Sequence, residues 1–240
     1  MAALLAWLRG VEHLYLWLDL LSLAGPLALS FDRKVAYWRL WRPWALGVLV
    51  GASVFLAWDV WFTAAGYWSF NPDYLVGVGA AGLPLEEWLF FLVIPYATVF
   101  IYECWRCYPT PRMGPRTARA VTLGLALGSV VLLVLYLDRW YTAVTFGLLL
   151  PMLALAWRLH GLRFLGLAYV GWLVSLVPFF VVNGILTAVP VVRYNDAENI
   201  GFRLGTIPVE DPFYGFLLYL IVLTVLERLR GTFRVLPTAG

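Results

Sequence analysis

Charge is what this chain has least of. Charged residues make up 13% of its 240 positions, about half of the roughly 25% carried by a soluble domain. That shortage excludes a soluble globular domain, and the length leaves no room for one beside the apolar segments. Lysine occurs once, as Lys34, in a stretch between two apolar runs. A Schiff base inside a helix bundle is thereby excluded. Cysteine occurs twice, in Cys104-x-x-Cys107. Two thiols are half a zinc site, and at a cytoplasmic helix end they read as reduced thiols. A nucleotide motif is missing too. Gly77-Val78-Gly79-Ala80-Ala81-Gly82 matches the dinucleotide fingerprint letter for letter, but that fingerprint binds pyrophosphate only within a strand–turn–helix unit. Here it falls in a loop between apolar runs.

What the chain has instead is hydrophobicity. Hydrophobic residues reach 62% and the mean hydropathy is +0.82. Apolar runs near twenty residues recur along the whole length, the pattern of a multispan membrane protein. Seven spans are expected, at 4–29, 44–65, 84–105, 120–137, 140–157, 163–188 and 208–227. The first is too long for a cleaved signal. Thirteen of the basic residues fall on one side, in the loops after spans one, three and five and in the tail with Arg228, Arg230 and Arg234. Four fall on the other: Arg9, Arg139, Arg193 and Arg203. Basic residues prefer the cytoplasmic side, so the N-terminus is expected outside and the C-terminus inside a cell membrane. The net charge of +3 is this topology signal and no footprint for nucleic acid.

The chain also states one pattern twice. Residues 59–106 align with 183–230 without a gap, at a constant offset of 124. Asn71 falls on Asn195, Gly77 on Gly201, Pro84 on Pro208, Glu86 on Glu210 and Glu87 on Asp211. Spans three and seven then run in the same direction. The expected fold is an all-α integral membrane protein whose seven transmembrane helices form two parallel three-helix repeats. Residues 1–106 make the first, 107–139 a linker helix and 140–240 the second. Sites in such proteins lie at the repeat interface.

Ionisable groups at membrane depth are rare and usually functional, so the acids single out the chemistry. Between Glu87 and Glu103, and again between Asp211 and Glu227, lie 15 uncharged residues. At roughly 1.5 Å each they fall short of a hydrocarbon core of roughly 30 Å, so acid is drawn below the surface. Glu103 has Arg106 three residues on, and Glu227 has Arg230. That is helix-pair spacing, and these two acids read as structural. Glu86, Glu87, Glu210 and Asp211 have no basic neighbour except Arg203. They either cap helix starts, where carboxylates are favoured, or do chemistry. Asp59, with Asn183 as its repeat mate, and Glu12, His13 and Asp19 of span one lie at the same level. Aromatics crowd that level as well: Trp58, Trp61, Phe62, Trp68, Phe70, Tyr74, Trp88, Phe90, Phe91, Phe213 and Tyr214. They form an interfacial belt or present their faces to a cation.

On these residues the chain resembles the lycopene cyclase domain family, the small non-flavin type. The resemblance rests on Tyr15-Leu16-Trp17-Leu18-Asp19, Phe70-Asn71-Pro72-Asp73-Tyr74, Pro84-Leu85-Glu86-Glu87-Trp88 and Gly205-Thr206-Ile207-Pro208-Val209-Glu210-Asp211. In heterodimeric members each subunit carries one Pro-x-Glu-acid motif, so this chain is similar to a fused form. The resemblance implies closure of the acyclic ends of lycopene to β-rings, with no cofactor and no metal. Lycopene and membrane lipids are the partners it implies. Such a reaction needs an acid, a base and a dry aromatic pocket. Glu86 and Glu210 are the expected acid and base, tuned by Glu87 and Asp211, with Asp59 in a proton relay. Trp58, Phe62, Phe70, Asn71, Tyr74, Trp88 and Asn195 are the expected substrate contacts. The alternative is a proton-coupled small-solute carrier, which shares a three-one-three parallel repeat but needs a polar path through both leaflets. A metal-dependent prenyl-chain enzyme is a third reading, which adjacent glutamates serve poorly.

Overall fold

The apolar runs are cut into helices wherever the backbone is forced out of helical geometry. The computed structural model describes residues 2–232; Arg234 lies outside the described residues. The helices are α1 (Ala2–Leu8), α2 (Leu14–Leu29), α3 (Trp41–Ala65), α4 (Leu85–Cys107), α5 (Pro115–Leu135), α6 (Trp140–Ala188) and α7 (Asp211–Arg230). The expected single span over 4–29 is two helices. His13 takes a left-handed conformation, φ 55°, which ends any continuous run. Glu12 and His13 thus lie in the turn before α2, and only Asp19 is inside a helix. In α6, Gly161 at φ 78° and ψ 179° breaks the helix. Its two parts, 140–160 and 162–188, match the expected fifth and sixth spans. Among the described residues five helices, with α6 counted once, are long and apolar enough to cross a membrane; α2, with 16 residues, is shorter.

Short strands tie the connecting loops together. They are β1 (Trp68–Phe70), β2 (Gly79–Ala80), β3 (Leu83–Pro84), β4 (Val192–Tyr194), β5 (Arg203–Leu204) and β6 (Ile207–Pro208). β1 pairs antiparallel with β4, with Ser69 opposite Arg193 at the centre. β2–β3 and β5–β6 are tight hairpins. Positive φ at Ala81 (53°) and Gly82 (83°) turns the first, and Gly205 (68°) opens the turn of the second, the conformations that two-residue hairpin loops demand. The Gly77–Gly82 stretch therefore sits in a strand–turn–strand unit, the wrong setting for a dinucleotide.

Glycine lets the helices approach. A Cβ on Gly47 of α3 would stand 2.6 Å from the carbonyl oxygen of Val222 in α7, and one on Gly51 would stand 2.9 Å from the Val222 side chain. At Gly171, in the second part of α6, a Cβ would stand 2.7 Å from the Tyr219 hydroxyl and 3.5 Å from the Cα of Tyr102 in α4. Small residues of this kind bring helix backbones into close packing where lipid offers no hydrophobic drive. At the far end of α4 and α7, Arg106 donates to Glu103 at 2.9 Å and Arg230 donates to Glu227 at 2.6 Å, both three residues apart. Arg230 also donates to Glu103 across the two helices. Glu103 is fully buried, and a buried charge is tolerated only when paired and hydrogen-bonded, so each member of this cluster holds the others in place.

Candidate active site

Neighbouring residues on a helix point about 100° apart, so the two acids of each Pro-x-Glu-acid motif cannot share a role. Glu86 and Glu210 turn toward the loops. The backbone N–H of Val76 donates to Glu86 at 2.7 Å, and that of Ile200 donates to Glu210 at 2.8 Å. The Thr142 hydroxyl also donates to Glu210, at 2.6 Å. Both acids are fully buried. Each keeps one oxygen, Oε2, without a partner among the described residues.

Glu87 and Asp211 turn the other way, into a cavity of about 600 Å³ that Asp59 also lines. Away from these acids the cavity wall is mainly apolar, built from residues such as Leu18, Ile94, Trp172 and Phe179, with the hydroxyls of Ser22, Thr98 and Ser175 among them. Leu21 of α2 and Val181 of α6 line it too and are 70% and 60% exposed. The cavity thus reaches the side of the bundle between α2 and the second part of α6.

The three acids are held differently. The Tyr15 hydroxyl donates to Glu87 at 2.7 Å. The Trp68 indole N–H donates to Asp59 Oδ1 at 2.5 Å. Glu87 and Asp59 are neighbours at this end of the cavity, and Asp59 Oδ2 has no hydrogen-bond partner among the described residues. Asp211 by contrast accepts three donors: Tyr141 at 2.6 Å, Tyr194 at 2.9 Å and the Asn183 amide at 3.1 Å. Tyr194 belongs to the loop strand β4. Burial, and then the neighbouring Asp211 charge, push its phenol well above the ordinary tyrosine value, so it stays a donor. The Tyr214 ring lines the same space and packs edge-on against Phe55 at 4.7 Å and Trp58 at 4.9 Å. Arg203, the cation nearest the second motif in sequence, is engaged elsewhere: it pairs with Asp196. Burial pushes the Asp196 carboxyl up, but hydrogen bonds from Arg203 and Asn199 outweigh it and hold the group below its ordinary value.

Of the expected substrate contacts, Phe70 reaches the cavity. Trp58 stands behind Tyr214, and Phe62 is fully buried against Trp58 and Trp68 at 5.5 and 5.0 Å. Asn71 and Asn195 are turn residues whose side chains accept the N–H of Asp73 at 3.2 Å and of Ala197 at 3.0 Å. Tyr74 packs in a separate apolar cluster with Leu14 and Leu186. Trp88 faces outward and donates to the Ala80 carbonyl at 3.3 Å. Sequence reasoning missed Tyr141, Tyr194 and the contact role of Tyr15. A signal existed: Tyr15 follows Leu14 as Tyr141 follows Trp140, two apolar residues opening helices α2 and α6. The offset there is 126 rather than 124, which places the pair outside the gap-free alignment.

A family model described as Lycopene cyclase matches residues 12–105 and 138–229. The two stretches leave out α5. A curated relative from Neurospora crassa, named bifunctional lycopene cyclase/phytoene synthase, is 28% identical over 159 residues, covering 59% of this chain and 25% of its own length. The chain therefore spans about a quarter of that relative. No solved structure matches. With the family match extending over most of its length, in two stretches that each hold one Pro-x-Glu-acid motif, the chain belongs to the lycopene cyclase family.

Proposed function

We propose that this protein is a membrane-embedded carotenoid cyclase that closes the acyclic ψ-ends of lycopene into β-rings. One observation carries the reading. Three carboxyls, Asp59, Glu87 and Asp211, converge at one end of an apolar cavity that opens sideways between helices. A terminal double bond takes a proton from a carboxyl, and a second double bond attacks the resulting cation and closes the ring. A carboxylate then removes a different proton. Atoms and electrons balance as an isomerisation. The proton handlers are the acids that line the cavity. Glu86 and Glu210, which the sequence alone brings forward as acid and base, serve to hold the loops over the helix starts. Aromatic faces, that of Tyr214 above all, stabilise the cation. A solute carrier fits less well, because the cavity lining is mainly apolar and the hydroxyls of Ser22, Thr98 and Ser175 are turned back onto their own helix carbonyls.

On the same reading the bundle is two parallel three-helix halves, 1–106 and 140–240, joined by 107–139. Supporting this, Ser69 pairs with Arg193, residues that the offset of 124 equates. The Val76–Glu86 and Ile200–Glu210 bonds are related by the same offset. The N-terminus lies outside and the C-terminus in the cytoplasm, which puts the acids in the outer leaflet. The lipophilic substrate enters from the hydrocarbon core through the side opening.

The test is direct. Purified protein, extensively chelated and given lycopene with no flavin, will yield ringed products, and in heavy water each ring will carry one deuterium. Recovery of lycopene alone, or ring formation strictly dependent on added flavin or a divalent ion, overturns the proposal. For orientation, in a variant lacking Cys104 and Cys107, an impermeant thiol reagent applied outside will label Val78→Cys and spare Arg116→Cys. The reverse pattern puts the acids in the inner leaflet.

A further inference from the structure

The two halves treat their inward-facing acids unequally, and the inequality has a chemical meaning. Asp211 accepts from Tyr141, Tyr194 and Asn183. Three donors on two oxygens favour the ionised form, which accepts only. Among the described residues Glu87 accepts from Tyr15, and it neighbours the Asp59 carboxyl. Two carboxyls buried side by side favour holding one proton between them, since neither can donate to the other without one and two like charges buried together are strongly disfavoured. The buried Asp59 Oδ2 with no other donor is the orphan that such a shared proton satisfies. The residue that occupies Asp59's place in the second half is Asn183. Its amide donates to Asp211, where a carboxyl would compete for a proton.

We infer that the Asp59–Glu87 pair is the acid that starts ring closure and that Asp211, positioned by Tyr141, Tyr194 and Asn183, is the base that ends it. This rests on the cyclase reading above and goes beyond it by assigning the direction in which the proton crosses the cavity. The pair gives its shared proton to the terminal alkene carbon. The cation closes the ring. Asp211 takes the ring proton, leaving the β double bond; between turnovers Asp211 releases that proton to water and the pair takes one back from water, so no co-reactant is consumed.

The experiment is ring formation in heavy water, with deuterium counted in products and in recovered substrate. Asp59→Asn and Glu87→Gln remove the shared proton. Both should lose β-ring formation by about a hundredfold or more and leave recovered lycopene free of deuterium. Asp211→Asn should lose β-rings to a similar extent, yet the cation still forms. It departs by reopening, which leaves deuterium on the terminal alkene carbon, or by losing a proton from a neighbouring carbon, which shifts the ring double bond out of the β position. Asn183→Asp, nearly the same shape, builds a second carboxyl pair and should give the Asp211→Asn signature. That variant keeps the test alive if Asp211→Asn does not fold. Deuterium in lycopene recovered from Glu87→Gln, or its absence from both Asp211→Asn and Asn183→Asp, overturns the assignment. Wild-type protein that forms no ring at all would instead defeat the cyclase reading.

Discussion

Glu87→Gln will reduce ring formation by about a hundredfold or more, the range for a lost acid–base group, while Glu86→Gln will leave the rate within about a few-fold. The two residues are adjacent and chemically identical, so the contrast isolates direction. Glu87 lines the cavity, accepts the Tyr15 hydroxyl and neighbours Asp59. Glu86 receives the Val76 N–H, and a glutamine carbonyl can receive it equally. Glu86→Ala cannot, and that variant will lose stability by roughly 1–3 kcal/mol, the range for a buried group left unsatisfied. Combining Glu87→Gln with Asp211→Asn will cost little beyond either single change, because residues acting on one turnover are strongly non-additive. The assay is initial rate of ring formation beside thermal unfolding of each variant. Folded Glu86→Gln protein without activity would return the chemistry to the loop-facing acids.

Gly47→Ala will lower stability by about 3 kcal/mol, the upper range for overpacking a well-filled contact. The added methyl meets the backbone carbonyl oxygen of Val222 at 2.6 Å, and a backbone atom has no alternative rotamer. Only separation of α3 from α7 can relieve the clash. Gly25→Ala serves as control: nothing lies within 4 Å of the new Cβ, and alanine favours a helix over glycine by about 1 kcal/mol. Thermal unfolding in detergent should show Tm falling for the first and holding or rising for the second. Equal Tm values for both would mean that α3 and α7 are not pressed together at this glycine.

Much of the helical layout was legible because apolar length and charge spacing are one-dimensional. The boundaries of α3, α4 and the second part of α6 fall close to the expected spans, and Glu103 and Glu227 pair with the arginines three residues on as the spacing predicts. The break at His13 was not legible, since a histidine in a left-handed conformation has no signature in hydropathy. Nor was the bond from Arg230 to Glu103, which depends on how α4 meets α7. At the site, the sequence brought forward both Pro-x-Glu-acid motifs and favoured Glu86 and Glu210, whereas Glu87 and Asp211 are the members that line the cavity. Which member lines it depends on the rotation of α4 and α7 about their axes, and the direction is set by packing against distant helices. Of the expected substrate contacts, Phe70 lines the cavity and the others stand away from it. Asn71 and Asn195 were drawn by their shared register, but turn-forming side chains keep register for the backbone's sake.

The exchange of Asp59 for Asn183 limits how far the halves can stand in for one another. On the proposed roles, a chain built from two copies of the first half would hold two shared-proton pairs and lack the carboxylate that three neutral donors keep ionised. Two copies of the second half would have two proton acceptors and nothing to give. A single-atom change, oxygen to nitrogen in one carboxyl, separates these dead ends from a working cycle. On the proposed roles, neither half can replace the other without rebuilding the proton's path.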